Sequence, residues 1–394
     1  MNKNKHIPQG YKDSPLGIIP KEWEVKRLGE FAPLQRGFDL PTDKIVRGEY
    51  PVVYSNGILN YHYEYKAKGP GVVTGRSGTI GKVTFVESNY WPHNTSLWVT
   101  DFKGNNPKYV FHLYSYINLS KFASGSGVPT LNRNDVHASK FAIPPIHEQD
   151  KIVEVLDFWD TAIEKQSELI EKLKLRKHAL MQQLLTGKKR LPEFNGEWKR
   201  KKLGDIAERV TRKNEEDNKN VVTISAQRGF VIQTDFFNKS VASETLDNYY
   251  LIHKDEFCYN KSYSNGYPMG AIKRLTAFDK AVVTTIYICF KLKNLSTINI
   301  DFFEQYCESG IFNKELVKIA NEGGRAHGLL NVTPSDFFNI HMRIPNINEQ
   351  NAIATVLVNA DKEIELANEK LSNLQSQKRG LMQQLLTGKK RIIG

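Results

Sequence analysis

Leu180–Arg190 reads LMQQLLTGKKR, and Leu381–Arg391 reads the same eleven residues again, 201 positions later (381 − 180). A second matched element precedes each copy at the same offset: Ile143-Pro144-Pro145-Ile146-His147-Glu148-Gln149 and Ile344-Pro345-Asn346-Ile347-Asn348-Glu349-Gln350. The stretch between these motifs therefore keeps its length in both copies. A third pair, Glu22-Trp23 with Leu28-Gly29-Glu30-Phe31-Ala32 and Glu197-Trp198 with Leu203-Gly204-Asp205-Ile206-Ala207, is offset by only 175 (198 − 23). The segments between anchors thus differ by 26 residues (201 − 175) and scarcely correspond in sequence. A repeat of this size dictates architecture: variable unit, constant unit, variable unit, constant unit.

Within the constant units the residues step by four and three. The first series is Ile152, Leu156, Trp159, Ile163, Ile170, Leu173, Leu180 and Leu184, with Gln166 and Lys177 in phase. The second is Ile353, Leu357, Ile364, Leu371, Leu374, Leu381 and Leu385, with Ala360, Ala367 and Lys378 in phase. This is a heptad seam, and its apolar members are the expected helix-pairing residues. Pro144-Pro145 and Pro345 stand just before the helices, Glu148 and Glu349 lie at the positive end of the dipole, and Gly187 and Gly388 suit a C-terminal cap. About 38 residues at ~1.5 Å each make a rod of ~57 Å, too long to leave its seam uncovered. Parallel in-register pairing would set Lys177 against Lys378, two ammonium groups in one layer. Antiparallel pairing within the chain separates them and is the expected arrangement.

The variable units read as mixed α/β domains. Gly71–Val73, Lys82–Val86 and Ser96–Val99 suggest strands in the first, and Val221–Ile224, Ala271–Leu275 and Ala281–Leu292 in the second. Helical patterns follow over Tyr109–Phe122 and Asp301–Ala320. The expected fold is mixed α+β with a pseudo-two-fold internal repeat: globular domains over 1–146 and 188–346, and long antiparallel coiled-coil helices over 147–187 and 347–394.

Length and charge agree with this division. At 394 residues the chain exceeds what one core usually serves. Its net charge of +12 and pI near 9.3 suit a polyanion such as nucleic acid. With mean hydropathy of −0.47 and no apolar run of about twenty residues, no membrane span is expected. The basic start Met1–His6 lacks the apolar stretch of an export signal, so a cytoplasmic location is expected. Cys258, Cys289 and Cys307 form no close pair in sequence and read as packing thiols rather than a disulfide framework or zinc site.

Loops in both variable units concentrate Gly, basic and amide residues, the groups that meet phosphates and base edges. The candidate DNA-binding residues are Arg36, Arg76, Ser77, Lys82, His93, Asn94 and Arg133 in the first unit. In the second they are Arg212, Arg228, Lys261, Tyr263, Lys273, Arg325 and His327. Any one such loop could equally be a solvated turn. No catalytic or metal site is nominated. Gly75–Lys82 fails the phosphate-loop pattern because Arg76 stands where its first Gly belongs, and neither an HExxH nor a dinucleotide fingerprint occurs.

Tyr11-Lys12-Asp13-Ser14-Pro15-Leu16-Gly17-Ile18-Ile19-Pro20-Lys21-Glu22-Trp23, the Ile-Pro-Pro-Ile-His-Glu-Gln element, the Leu-Leu-Thr-Gly-Lys-Lys-Arg helix ends and the 201-residue repeat together resemble the specificity subunits of type I restriction-modification systems. The resemblance covers essentially the whole chain. It implies two target-recognition domains, each reading one half of a split DNA sequence, with two helices fixing their separation. It further implies docking of two methyltransferase subunits that bind S-adenosylmethionine and methylate adenine N6, and possible association with motor-nuclease subunits. This chain would itself hold no cofactor. Two dissimilar variable units imply an asymmetric target. A stand-alone DNA-binding regulator or architectural protein is the alternative, and a self-sufficient methyltransferase or nuclease a second. Val153, Val155, Phe158, Leu169 and Leu175, apolar but off the seam, favour docking over the regulator.

Overall fold

The computed structural model describes residues 7–125, 129–234, 246–320 and 329–392. The chain forms two compact units, one of Met1–Glu168 with Glu369–Gly394 and the other of Leu169–Asn368. Each unit thus takes one half of each long helix together with a variable segment.

The first unit opens with the hairpin β1 (Tyr11–Ser14) and β2 (Gly17–Pro20). Next come β3 (Glu24–Arg27), α1 (Leu28–Phe31), β4 (Leu34–Arg36), β5 (Tyr50–Tyr54), β6 (Gly57–His62), β7 (Gly71–Gly75), β8 (Val83–Val86), β9 (Trp91–Pro92) and β10 (Ser96–Val99). After them follow α2 (Pro107–Tyr116), β11 (Ala123–Ser124), β12 (Thr130–Leu131), α3 (Arg133–Ala138), β13 (Lys140–Ile143) and the long α4 (Ile146–Leu184). The main antiparallel sheet has the order β4-β10-β7-β8, a second sheet the order β6-β5-β9, and β13 pairs back onto β3. Asn106 starts α2: its side chain accepts from the N–H groups of Lys108 and Tyr109, and Pro107 takes the first helical position. Trp23, Phe31, Tyr109 and Tyr114 fill the core under the sheet.

In the second unit β14 (Lys199–Lys202), α5 (Leu203–Ile206), β15 (Ala207–Arg209), β16 (Val222–Ser225), β17 (Gly229–Ile232), β18 (Tyr250–His253), β19 (Phe257–Asn260), β20 (Ala271–Arg274), β21 (Lys280–Val283) and β22 (Ile288–Leu292) follow one another. The unit continues with α6 (Ile300–Glu308), α7 (Asn313–Ile319), α8 (Pro334–Phe338), β23 (His341–Ile344) and the long α9 (Ile347–Leu385). Its main sheet, β15-β22-β19-β20, repeats the order of the first, and β14–β23 repeats β3–β13. The two variable segments therefore share a topology that their sequences conceal. Three expectations change. Tyr109–Phe122 is not one helix, because α2 ends at Tyr116 and Leu119–Phe122 is a separate 3-10 turn. Ala281–Leu292 is not one strand, because Thr284–Tyr287 breaks it into β21 and β22. Asp301–Ala320 is two helices, parted at Gly310, whose φ of 72° is left-handed.

Both long helices run 39 residues. Every expected pairing residue, from Ile152 to Leu184 and from Ile353 to Leu385, is buried or half-buried. Ile152 and Leu156 of α4 share the first unit's core with Met382 and Leu385 of α9, while Met181 and Leu184 share the second's with Ile353 and Leu357. In each unit the start of one helix packs on the end of the other, so the pair is antiparallel. The seam lysines gain partners as well as distance. Lys177 Nζ meets Asp361 Oδ1 at 2.5 Å, and Lys378 pairs with Asp160 in the same way. Val153, expected on a free face, is instead a core residue of the first unit, whereas Phe158 and Leu175 are 73% and 70% exposed.

The three repeated motifs meet once in each unit. Trp23 Nε1–H donates to the buried Glu148 carboxylate at 2.9 Å, which also accepts from Arg391 at 2.8 Å; Arg391 pairs with Glu22 too. In the second unit Arg190 donates to the buried Glu349 at 2.6 Å and lies 5.7 Å over the Trp198 ring. Gly187 and Gly388 cap the helices with φ of 70° and 69°. Cys258 and Cys289, remote in sequence, face each other across β19 and β22 with sulfurs 3.1 Å apart, and burial pushes the Cys258 thiol pKa up. Among the described residues, no helix is long and apolar enough to cross a membrane.

Candidate nucleic-acid interface

Strand ends of the first unit bring its basic and amide loops together. Gly75 closes β7 where the chain folds back so tightly that an added Cβ would lie 1.7 Å from the Thr79 carbonyl oxygen. This turn presents Arg76 and Ser77, whose N–H groups donate to the Thr95 carbonyl at 2.9 and 3.2 Å. The Arg76 carbonyl accepts from Leu131 N–H at 2.8 Å, which brings in β12 and the exposed Arg133 two residues beyond it. Lys82 reaches across to the Asn56 carbonyl at 2.5 Å, and Ser55 N–H donates to Thr95 Oγ1 at 3.3 Å, tying in the β5–β6 turn. Arg36 and Asn94 both engage Asp39, with Arg36 at 3.6 Å, and Gly37 N–H donates to the Ser96 carbonyl. The His93 ring lies 4.3 Å from that of Tyr54, and burial lowers its pKa, keeping it neutral. The structure thus brings Arg36, Arg76, Ser77, Lys82, His93 and Asn94 onto adjoining loops.

The second unit builds the same corner from different residues. Lys261 follows β19 as Arg76 follows β7, and its carbonyl accepts from Leu330 N–H at 3.0 Å. Ser262 bridges to Leu329 as Ser77 bridges to Thr130. Gln227, in the β16–β17 turn, donates to the Asn265 carbonyl at 3.0 Å, the counterpart of the Asn56–Lys82 contact. Arg228 and Tyr263 are exposed on these loops. Burial lowers the Lys261 pKa.

Four other candidates stand apart: two are held inside the unit and two lie outside the described residues. Lys273 is buried, with its ammonium 2.5 Å from Glu308 and 3.1 Å from the Tyr267 hydroxyl, so its charge is spent inside the unit. Arg212 is held by Glu256 at 3.1 Å and by the Leu251 carbonyl. Arg325 and His327 lie outside the described residues. Composition missed Ser55, Asn56 and Gln227. The Asn56-Gly57 pair between two β-type runs was the available signal for the first turn.

Among the described residues, one group has metal-like spacing: His112, Asp157 and Asp160. Its carboxylates are already matched by Lys108 at 2.6 Å and by Lys378. The first bond holds α2 to α4 and the second holds α9 to α4, and nothing in them calls for an ion.

The type I restriction modification DNA specificity domain family matches residues 20–175 and again 195–376. The MjaVIII specificity subunit of Methanocaldococcus jannaschii is 22% identical over 95% of this chain and 94% of its own length. The EcoprrI specificity subunit of Escherichia coli is 29% identical over 38% of this chain, a match spanning 40% of that subunit. A match to the MjaIX specificity subunit of M. jannaschii, 25% identical over 42% of this chain, likewise spans only 45% of that subunit. Among solved structures, the type I S subunit from M. genitalium superposes with a TM-score of 0.55 at 15% identity, covering 92% of this chain and 96% of that one. A chain from a study of type I complex assembly and conformational transition gives 0.53 at 13% identity, covering 94% and 99%. These structural likenesses speak to the fold. The double match, falling on two units of equal sheet order, places the chain in the type I restriction-modification DNA specificity family, with that domain present twice.

Proposed function

We propose that this chain is the noncatalytic DNA-reading subunit of a type I restriction-modification complex. Each unit reads one half of a bipartite duplex target, and the paired helices set the spacer. The observation that carries this reading is the repeated corner: one loop framework, built twice around Arg76 and Lys261, with different side chains on it. Equal frameworks with unequal side chains suit two half-sites of unequal sequence. Two methyltransferase subunits dock on the helices, where exposed Phe158, Leu175 and Leu366 supply apolar contact that a stand-alone regulator does not need. S-adenosylmethionine and adenine N6 methylation belong to those subunits, and motor-nuclease subunits complete a restriction enzyme in the cytoplasm.

The deciding experiment maps methylated adenines in cells carrying the methyltransferase with and without this chain. A two-part motif that vanishes when the chain is deleted is the expected result. Methyl transfer by the purified chain alone would overturn the reading.

A further inference from the structure

Strand β6 is the outer strand of the β6-β5-β9 sheet, paired on one side only. Ile58, Leu59, Asn60 and Tyr61 are all exposed, Leu59 at 57% and Tyr61 at 52%. Single exposed apolar residues need no explanation, but four successive exposed positions on an open edge form a pairing hazard, usually blunted by Lys or Pro. Gly57–His62 contains neither, and no formal charge. The hairpin is also bulged: Val52 pairs with Asn60 and Val53 with Ile58, so Leu59 is the extra residue with no partner opposite. Bulges of this kind re-aim a side chain and recur beside functional sites.

The edge continues into the basic corner. Asn60 Nδ2 donates to the Tyr54 hydroxyl at 3.2 Å, Tyr54 lies against His93, and the Ser55–Asn56 turn is held by Thr95 and Lys82. An uncharged ribbon with an amide and apolar tips, set beside Arg36, Arg76 and Lys82, has the chemistry of a base reader flanked by phosphate contacts. A two-stranded ribbon fits the major groove, where Asn reads adenine and apolar groups meet the thymine methyl. The equivalent hairpin β16–β17 differs: its strands are largely buried, and Gln227 and Arg228 stand at its turn.

Resting on the DNA-reading role above, we propose that hairpin β5–β6 enters the major groove and that Leu59 and Asn60 select bases in the half-site read by the first unit. The test is selection of a randomised duplex library on the full-length chain co-expressed and co-purified with its methyltransferase subunits, unsubstituted and as Leu59→Ala, Asn60→Ala and Arg76→Ala. These side chains are exposed or half-buried, and a thermal melt confirms folding. Leu59→Ala and Asn60→Ala should each lower base preference about tenfold at one or two adjacent positions of one half-site, leaving the other half and the spacer unchanged. Arg76→Ala should weaken binding across all sequences. An unchanged motif in both hairpin variants overturns the hairpin assignment alone. So does lost methyltransferase co-purification with unchanged base preference, which would make the edge a protein contact. Failure of the unsubstituted chain to select any motif overturns the DNA-reading role, and this proposal with it.

Discussion

Arg76 and Lys261 occupy the same place in the two units: each follows the third strand of its four-stranded main sheet, β7 or β19, and each offers its carbonyl to a leucine N–H, Leu131 at 2.8 Å and Leu330 at 3.0 Å. The backbone bonds are conserved between units while the side chain changes from guanidinium to ammonium. Both groups point the same charge from the same corner, which suits phosphate contact, a role indifferent to base identity.

From this follows a matched pair of losses. Arg76→Ala and Lys261→Ala should each weaken duplex binding severalfold and reduce the slope of log affinity against log salt by about 1. Fluorescence anisotropy across a salt series measures both. Wild-type slopes in either variant would remove that residue from the interface.

The junction of repeated motifs gives a stability prediction. Glu148 is 1% exposed and relies on Trp23 and Arg391. Arg391→Ala leaves the carboxylate buried with only the indole N–H, at a cost of about 3 kcal/mol to the first unit. Urea unfolding should show the drop, and trypsin should cut sooner after Lys389 and Lys390. Unaltered unfolding and cleavage would mean that the pair contributes nothing to holding the C-terminal segment.

The sequence made these motifs legible as repeats but not as neighbours. Glu22-Trp23, Glu148 and Arg391 are spread over nearly the whole chain, and only the antiparallel helix pair brings them to one point. The helices themselves were fully legible, because a heptad period is a local signal that every seam residue repeats. Lys177 and Lys378 stood out as polar members of that seam, yet Asp361 and Asp160 did not, since a partner on the opposing helix leaves no trace in the local period. The recognition corner was legible only as composition. Arg76 and Lys273 look alike in a basic loop or strand, and burial against Glu308 separates them. The β5–β6 edge was missed because a bulge breaks the alternation by which strands are read.

Acid should weaken the first unit. Burial lowers the pKa of His93, His112 and His137, and Lys378 beside His112 adds to the effect there. His137 Nε2 accepts from Leu34 N–H at 2.8 Å, which only a neutral ring can do. The folded unit therefore binds fewer protons than the unfolded chain, whose histidines titrate near 6.5. Stability is full above that value and falls as pH drops through the lowered folded pKa values. Trp23, Trp91, Trp98 and Trp159 lie in this unit, so tryptophan emission in urea reports on it. The midpoint should fall between pH 7.5 and 5.5, and His112→Gln should narrow the fall. Equal midpoints at both pH values would refute the histidine account.

The helix pair makes the last prediction. Deleting Leu169–Leu175 and Lys370–Ser376 removes one heptad from each helix at matched places and keeps the seam in phase on both sides. Seven residues at ~1.5 Å shorten the pair by about 10.5 Å, close to three base pairs at ~3.4 Å each. The preferred spacer should shorten by about three base pairs while both half-site sequences persist. Three base pairs also turn the duplex through roughly 100°, given about 10.5 per turn, so the shortened chain must twist its DNA or bind it more weakly. Both effects are separable by selection from libraries of varied spacer: length sets which spacer wins, and phase sets how strongly. A chain that keeps its original spacer after losing both heptads would show that the helices do not set the distance.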